Sequence, residues 1–456
     1  MTRIDTDICI IGAGAGGLSV AAGAAQMGAR VVLIEGAEMG GDCLNTGCVP
    51  SKALLAAGRA GLGWDAAHTH MRSAIAAIAP HDSAERFEGL GVTVLRGFAR
   101  FTGRREVTTG DSRISARRFV IATGSRPFVP DIPGLDALPY LTNETLFGLD
   151  TQPAHLLVLG GGPVGLEMAE AHRRLGARVS VIEAGRALGR EDPEAVALVL
   201  DAMRGRGVRI LEQTQVTAAR LAPEGVALET TVGDITGSHL LVAAGRVPAV
   251  DGLGLDAAGV AFGPDGIVTD KRMRTSNRRI YAIGDVTCGA GFTHLAGYHA
   301  GLVLRAALFG LPVNARTSHI PRALHTAPEL AQVGLTEAEA RATHDKLEVL
   351  RADLADNDRA IAASTTGRPA GFLKVMAVKG RPVGATMVGA GASEQIALWS
   401  LAISGRLKLG AIAGTILPYP TRAELSKRAA GAWFAPRLFD NPWVARMVRM
   451  VQRFLP

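Results

Sequence analysis

Twice along the chain, an apolar run of strand length breaks into glycines and resumes as an Ala-rich stretch of helix length. DICIIGAGAGGLSVAAGAAQMGARVVLIE occupies residues 7–35, and LLVLGGGPVGLEMAEAHRRLGARVSVIE residues 156–183. Short apolar runs bounded by turn residues predict buried strands. Each copy therefore reads strand, turn, helix, strand, and ends in an acid, Glu35 or Glu183. RRFVIATGSRP (117–127) and RRIYAIGDV (278–286) read as further short strands that end in polar turns. From about residue 319 the pattern changes. IPRALHTAPELAQVGLTEAEAR (320–341) predicts a strand, a turn and a helix in which Thr336 and Glu339 have capping-box spacing. FLKVMAVKGRPVGATMVG (372–389) alternates and turns as a β-hairpin does. PWVARMVRMVQRFL (442–455) predicts a helix with Trp443, Met447, Val451 and Phe454 on one face and Arg446, Arg449 and Arg453 on the other.

The turns in the two long copies are both G-x-G-x-x-G. The glycines are Gly12, Gly14 and Gly17 in the first, and Gly160, Gly162 and Gly165 in the second. The first glycine of such a turn permits the tight bend, the second lets a pyrophosphate approach the backbone, and the third lets helix and strand pack closely. The helix N-terminus then faces the phosphates. Glu35 and Glu183 end their second strands where a carboxylate accepts hydrogen bonds from ribose hydroxyls, about twenty residues on. One such turn is weak evidence. Two, each with its strand, helix and acid, predict two dinucleotide sites. Glu183 would repel a 2′-phosphate and so favours NADH, while Arg186 and Arg190 nearby leave NADPH as the alternative donor.

Composition narrows the setting. A chain of 456 residues suggests about three domains. The formal charge is +7, and residues 427–456 carry six basic residues against Asp440, a local +5 that leaves only +2 for the rest. That distribution argues against a nucleic-acid binder, which needs a basic face on its body. Four cysteines do not make a disulfide scaffold, and the opening lacks the order of a signal peptide. The expected setting is a reducing cytoplasm, where a close cysteine pair is catalytic or metal-binding more often than structural.

Such a pair lies in GGDCLNTGCVPSK, residues 40–52, as Cys43 and Cys48. The run from Cys43 toward Leu55 predicts a helix whose start Pro50 bends or interrupts. A thiol at a helix N-terminus has its thiolate stabilised and its pKa lowered. Redox activity is one reading of the pair. Two free core thiols are another, and a zinc site is a third, although no second Cys or His pair at ligand spacing accompanies it. Cys9, in a predicted buried strand, and Cys288, after a turn, read as structural.

This motif, with the two glycine turns, resembles the flavin-dependent pyridine nucleotide–disulfide oxidoreductases, the group of lipoamide dehydrogenase, glutathione reductase and mercuric reductase. The resemblance runs from Asp7 to about Arg428. It implies an α/β fold with two Rossmann-like domains, for FAD and NAD(P), and a C-terminal α+β dimerisation domain. The division expected is 1–148 and 269–318 for the FAD and central part, 149–268 for NAD(P), 319–435 for dimerisation, and 436–456 as a basic amphipathic tail. It implies FAD contacts at Gly12, Gly14, Gly17, Glu35, Gly41, Lys52, Thr123, Gly124, Asp285 and Ala296. For the nicotinamide cofactor it implies Gly160, Gly162, Gly165, Glu183 and Gly245, with Gly245 and Arg246 in the turn that closes the second domain. By the same resemblance, Cys48 is the charge-transfer thiolate beneath the flavin and Cys43 the outer thiol that meets the acceptor. Lys52 sits near the flavin and pairs with Glu167. A homodimer is implied, each C-terminal module completing its partner's site.

Two departures qualify the resemblance. Asp42 stands where the motif usually has Thr, near the flavin phosphates. Near the C-terminus, dithiol members carry His-Pro-Thr-x-x-Glu, whose His, oriented by the Glu, moves the substrate's proton. Here the segment is Tyr419-Pro420-Thr421-Arg422-Ala423-Glu424. A tyrosine, with an ordinary pKa near 10, is a poor proton shuttle at neutral pH. Mercuric reductases resemble this chain in carrying Tyr there, and a soft metal ion needs thiolates, not a histidine proton. They also use a C-terminal cysteine pair, which MVRMVQRFLP lacks. The expected function is thus NAD(P)H oxidation through FAD and the Cys43–Cys48 pair to a small-molecule disulfide, metal ion or other small acceptor. The rivals are a mercuric-type metal-ion reductase, a redox-responsive flavoprotein that binds a membrane or protein partner, and an FAD-binding structural subunit. The basic tail has two readings, contact with an anionic membrane surface or packing against the dimer's own body.

Overall fold

The computed structural model describes residues 2–289, 291–365 and 367–455. The chain forms two compact units, Met1–Arg186 with Val208–Arg316, and Ala187–Gly207 with Thr317–Pro456.

The first unit is built on two parallel sheets. In one, Val92–Arg96, Val31–Glu35, Thr2–Ile11 and Ser112–Ile121 lie side by side and parallel. Ile280–Ala282 pairs with the last residues of Ser112–Ile121, also parallel. The distant RRIYAIGDV run thus returns to the sheet of the first glycine turn. An antiparallel ribbon, Arg100–Gly103 and Glu106–Thr109, continues from the start of Ser112–Ile121. The second sheet has the parallel order Val208–Leu211, Arg178–Ile182, His155–Leu159 and His239–Val242. Both central strands read as unbroken apolar runs because helices cover both faces of a parallel sheet. Ile8–Ile11 and Leu156–Leu159 are buried at every position. Helices Ala15–Gln26 and Pro163–Arg174 follow directly from the two glycine turns.

The second unit is an antiparallel sheet in the order Pro321–Leu324, Glu329–Gly334, Arg381–Gly389, Phe372–Val378 and Leu347–Asp353. The hairpin expected at 372–389 forms its centre. Thr336 and Glu339 make the expected capping box at the start of helix Glu337–Thr343. Helix Ala392–Ser404 covers the sheet with Trp399 fully buried, and its indole Nε1 donates to Ser426 Oγ at 3.1 Å.

Helix Pro193–Gly205 belongs to this second unit, although it lies within the stretch 149–268 expected to form one nucleotide domain. Charge holds it there. Lys374, on the central hairpin and 6% exposed, meets Asp192 at 3.0 Å, Glu194 at 3.0 Å and Glu337 at 2.9 Å. Asp192, 2% exposed, also caps the helix, accepting from the Glu194 and Ala195 amides. Nothing in the alternation of 372–389 marks Lys374 as the centre of such a cluster.

The helix Pro442–Phe454 forms as expected, capped by Asn441. Among the described residues, no helix is long and apolar enough to cross a membrane.

Removing one partner from a buried ion cluster strands the others. Lys374→Ala is therefore expected to destabilise the fold by about 3–5 kcal/mol, read as a fall in the urea midpoint. Asp192→Asn in the Lys374→Met background should recover part of that loss.

Candidate active site

The two glycine turns solve one packing problem identically. Gly12 has φ +102°, and a Cβ there would lie 2.4 Å from the Ala122 carbonyl oxygen; Gly160 has φ +117°, with the Ala243 oxygen at 2.4 Å. A Cβ on Gly17 would lie 1.9 Å from the Gly12 oxygen, and one on Gly165 2.1 Å from the Gly160 oxygen. These four glycines are required by the chain's own contacts. Gly14 and Gly162 are not. Both are helix N-caps in extended backbone, and a Cβ on either would meet nothing within 4 Å. Each leaves open space before the exposed amides of a helix N-terminus, which suits a phosphate. The residues present therefore fit two dinucleotides.

Glu35 accepts hydrogen bonds from the amides of Ala13 at 2.5 Å and Ala37 at 2.7 Å. Glu183 repeats the arrangement with Gly161 at 2.7 Å and Gly185 at 2.8 Å. Each carboxylate braces its own turn and, with further lone pairs, still has acceptor capacity for a ribose hydroxyl.

A cleft of about 880 Å³ opens in the first unit. Gly12, Gly14, Glu35, Gly41, Lys52, Thr123, Gly124, Asp285 and Ala296 all line it, as do Cys43, Cys48 and Glu167. Gly17 lies beneath, in the helix–strand contact. Gly160, Gly162, Gly165 and Glu183 stand at the second turn. Gly245 has φ +139°, and its carbonyl accepts from the Phe128 amide at 3.0 Å.

The two cysteines stand on consecutive helices, Gly41–Asn45 and Cys48–Arg59. The break between them falls at Thr46–Gly47, not at Pro50. Pro50 lies in the first turn of the second helix, where a missing amide costs no intrahelical bond. Cys48 is the first helical residue. Its Sγ is 2.9 Å from Cys43 Sγ, and Thr293 Oγ1 is 2.5 Å from Cys43 Sγ and 3.6 Å from Cys48 Sγ. The hydrogen bond from Cys43, then that from Thr293 and the charge of Lys52, outweigh burial and Glu167 and pull the Cys48 pKa down to about 6. The hydrogen bond to Cys48 and burial push Cys43 up. One thiol of the reduced pair is thus ionised at neutral pH and the other is not. Lys52, one turn beyond Cys48, meets Glu167 Oε2 at 2.7 Å, and Glu167 is 4% exposed. The expected pairing of these two residues is present.

Asp42 is held by Arg246 at 2.7 Å and by the Asn143 amide and the Thr46 hydroxyl. Arg246 also donates to the Ser125 hydroxyl and carbonyl and to Asn143 Oδ1, and Ser125 donates to Asp285. The acid that replaces the usual threonine is thus neutralised by the arginine of the turn after the second sheet. Sequence reasoning missed Thr293, Asn143 and Ser125. Thr293 opens helix Thr293–Phe309, a position that an N-terminal search would have flagged; Asn143 carries no comparable signal.

Cys9 is buried, as expected, and burial pushes its thiol up. Cys288 is exposed. In the second unit, Tyr419 is 72% exposed and its hydroxyl donates to Asp358 at 3.0 Å. That bond and the Asp358 charge raise the phenol's pKa. Glu424 begins helix Glu424–Ala432, and its Oε2 is buried without a hydrogen-bond partner among the described residues.

The family described as pyridine nucleotide-disulphide oxidoreductase matches residues 6–332, and its dimerisation domain matches residues 320–430. A mercuric reductase of Streptomyces lividans is 37% identical, the match covering 93% of this chain and 95% of that protein. A dihydrolipoyl dehydrogenase of Bacillus subtilis is 33% identical, covering 94% and 96%. Among solved structures, the Cu(II) complex of the HOCl-induced flavoprotein disulfide reductase RclA from Escherichia coli superposes with TM-score 0.86 at 28% identity, covering 92% of this chain and 98% of that one. LpdA from Mycobacterium tuberculosis superposes with TM-score 0.85 at 27% identity, covering 94% and 99%.

The ultraviolet thiolate absorbance of the reduced protein is expected to show a step centred near pH 6, absent from Cys48→Ser. Because Lys52 helps to lower that pKa, Lys52→Met should move the step to higher pH. A single step in the ordinary thiol range in the wild type would contradict the assignment.

Proposed function

We propose, for a chain that belongs to the pyridine nucleotide-disulphide oxidoreductases, that it oxidises NADH and passes the electrons through Cys43 and Cys48 to a small acceptor. The family uses FAD and NAD(P)H, and its dimerisation domain supports a homodimer. The observation that carries the reading is the Cys43–Cys48 pair, Sγ to Sγ 2.9 Å, lining a glycine-rich cleft with Cys48 at a helix N-terminus and Lys52, one turn on, paired to Glu167. When bound, FAD supplies the relay that takes a hydride from the nicotinamide and delivers two electrons to the disulfide. The chain's residues do the rest. Gly14 and Gly162 leave room for the two pyrophosphates. Glu35 and Glu183 take ribose hydroxyls, and the Glu183 charge selects NADH over NADPH. Lys52, fixed by Glu167, holds the negative charge that Cys48 acquires when the disulfide opens. The proton taken up in that step resides on Cys43, which then meets the acceptor.

The acceptor is proposed to be one that needs no delivered proton. Tyr419, its phenol held neutral by Asp358, stands where dithiol members of the family carry a histidine. A positioned acid–base contributes typically about 10²–10⁴-fold, so efficient turnover of a disulfide substrate is disfavoured. A thiophilic metal ion is favoured, because two sulfur ligands replace proton transfer. The mercuric reductase relative and the Cu(II) complex of the RclA neighbour support that class.

Anaerobic titration with reductant should consume four electrons per subunit, and a long-wavelength charge-transfer band between the Cys48 thiolate and oxidised flavin should be present after the first two. The band should fade as the pH falls through about 6 and be missing from Cys48→Ser. Turnover with Hg²⁺ or Cu²⁺ should exceed turnover with lipoamide or glutathione disulfide. Tyr419→His should raise the disulfide rates, by tenfold or more on the scale of general acid–base catalysis. Uptake of only two electrons would remove the thiol pair from the pathway; unchanged disulfide rates in Tyr419→His would remove the proton argument.

A further inference from the structure

Among the described residues, nothing in its own chain buries the terminal helix Pro442–Phe454. Each of its residues is exposed or half-exposed, and none is buried. A helix of 13 residues is marginal in water by itself, so its formation calls for a surface. Trp443 is 74% and Phe454 81% exposed, and Met447, Met450 and Val451 are exposed with them. At about 100° per residue these five side chains fall within an arc of about 100°, and the three arginines within an arc of about 60° centred about 120° away. No acid lies between residues 441 and 455. Arg446 lies 5.5 Å from the centroid of the Trp443 ring, at the boundary of the two faces.

Three features select what covers it. The family's dimerisation domain ends at residue 430, so the helix lies beyond the part matched to that domain. The net charge of residues 427–456 is positive, from six basic residues against Asp440, on a chain that is itself positive. The equally basic tail of a second copy therefore repels this helix, and an anionic surface attracts it. The helix is about 20 Å long, too short for a hydrocarbon core of about 30 Å. It can lie on a bilayer and cannot cross one.

We propose that helix Pro442–Phe454 docks flat on a bilayer surface that carries anionic phospholipids. Trp443, Met447, Met450, Val451 and Phe454 enter the boundary of headgroups and acyl chains. Arg446, Arg449 and Arg453 remain at headgroup depth, their stems reaching along the helix so that the guanidinium groups meet lipid phosphates. The dithiol site is thereby held at a membrane surface.

The test is sedimentation of the purified full-length protein with vesicles of phosphatidylcholine alone or mixed with phosphatidylserine. The full chain is expected to sediment with the mixed vesicles only, and less at high salt. Arg446→Gln with Arg449→Gln and Arg453→Gln should weaken vesicle affinity by about 100-fold. Trp443→Ser with Phe454→Ser, which keeps every charge, should also release the protein. A chain ending at Asp440 should remain with the supernatant while keeping its flavin content and its reduction by NADH. Equal sedimentation of full and shortened chains overturns the proposal, as does equal binding to phosphatidylcholine alone. A lower oligomeric mass for the shortened chain by light scattering also overturns it, because the helix is then covered by a second copy. None of these readouts depends on which acceptor the thiols reduce.

Discussion

The contact between helix Cys48–Arg59 and helix Pro163–Arg174 governs the candidate site. The two come close because Gly58 has no side chain; a Cβ there would lie 2.9 Å from Arg174 Cβ. At the other end of the interface, Lys52 meets the nearly buried Glu167 at 2.7 Å. One helix carries Cys48 at its N-terminus and the other begins at the second glycine turn. Packing them together brings the thiol pair and a nicotinamide-type loop into one region. The same ion pair sets the field around Cys48. Lys52 favours its thiolate and Glu167 opposes it, and the hydrogen bond from Cys43 decides the balance. Geometry and electrostatics thus rest on the same few side chains.

The glycine turns separate what the fold needs from what a ligand needs. Gly12, Gly17, Gly160 and Gly165 are fixed by backbone approaches that no side chain survives. Gly14 and Gly162 face open space, and nothing in the chain itself calls for a glycine there. The same division appears at Asp42. Its departure from the usual threonine is balanced by Arg246, Asn143 and Thr46, so the negative charge near the cleft is already met by protein groups.

The second unit shows how charge can outweigh sequence proximity. Helix Pro193–Gly205 follows the second sheet's strand Arg178–Ile182 along the chain, yet it is held to the hairpin strand Phe372–Val378 by Lys374 and three carboxylates. Tyr419 lies in that same unit as an exposed phenol tied to Asp358, a proton donor of high pKa and not a shuttle.

Much of this was legible in the residues alone. Apolar runs marked the parallel strands, because strands covered on both faces are predominantly apolar. The glycine spacings marked the turns, because only glycine permits those backbone approaches. The cysteine spacing and the exchange of His for Tyr419 were visible as letters, since local motifs encode local chemistry. Three things were not visible, and all depend on groups distant along the chain. Thr293 reaches Cys43 from 250 residues away. Arg246 neutralises Asp42, and Lys374 captures the acids at the start of helix Pro193–Gly205. Periodicity reports which face of an element is buried; it carries no information about which polar atom a buried atom will meet. The linear order therefore determined the two glycine-loop sheets, the dithiol and the amphipathic tail. Tertiary packing alone decided how the thiols are charged and what each buried ion is paired with, because those depend on distances of a few ångströms between segments that the sequence keeps far apart.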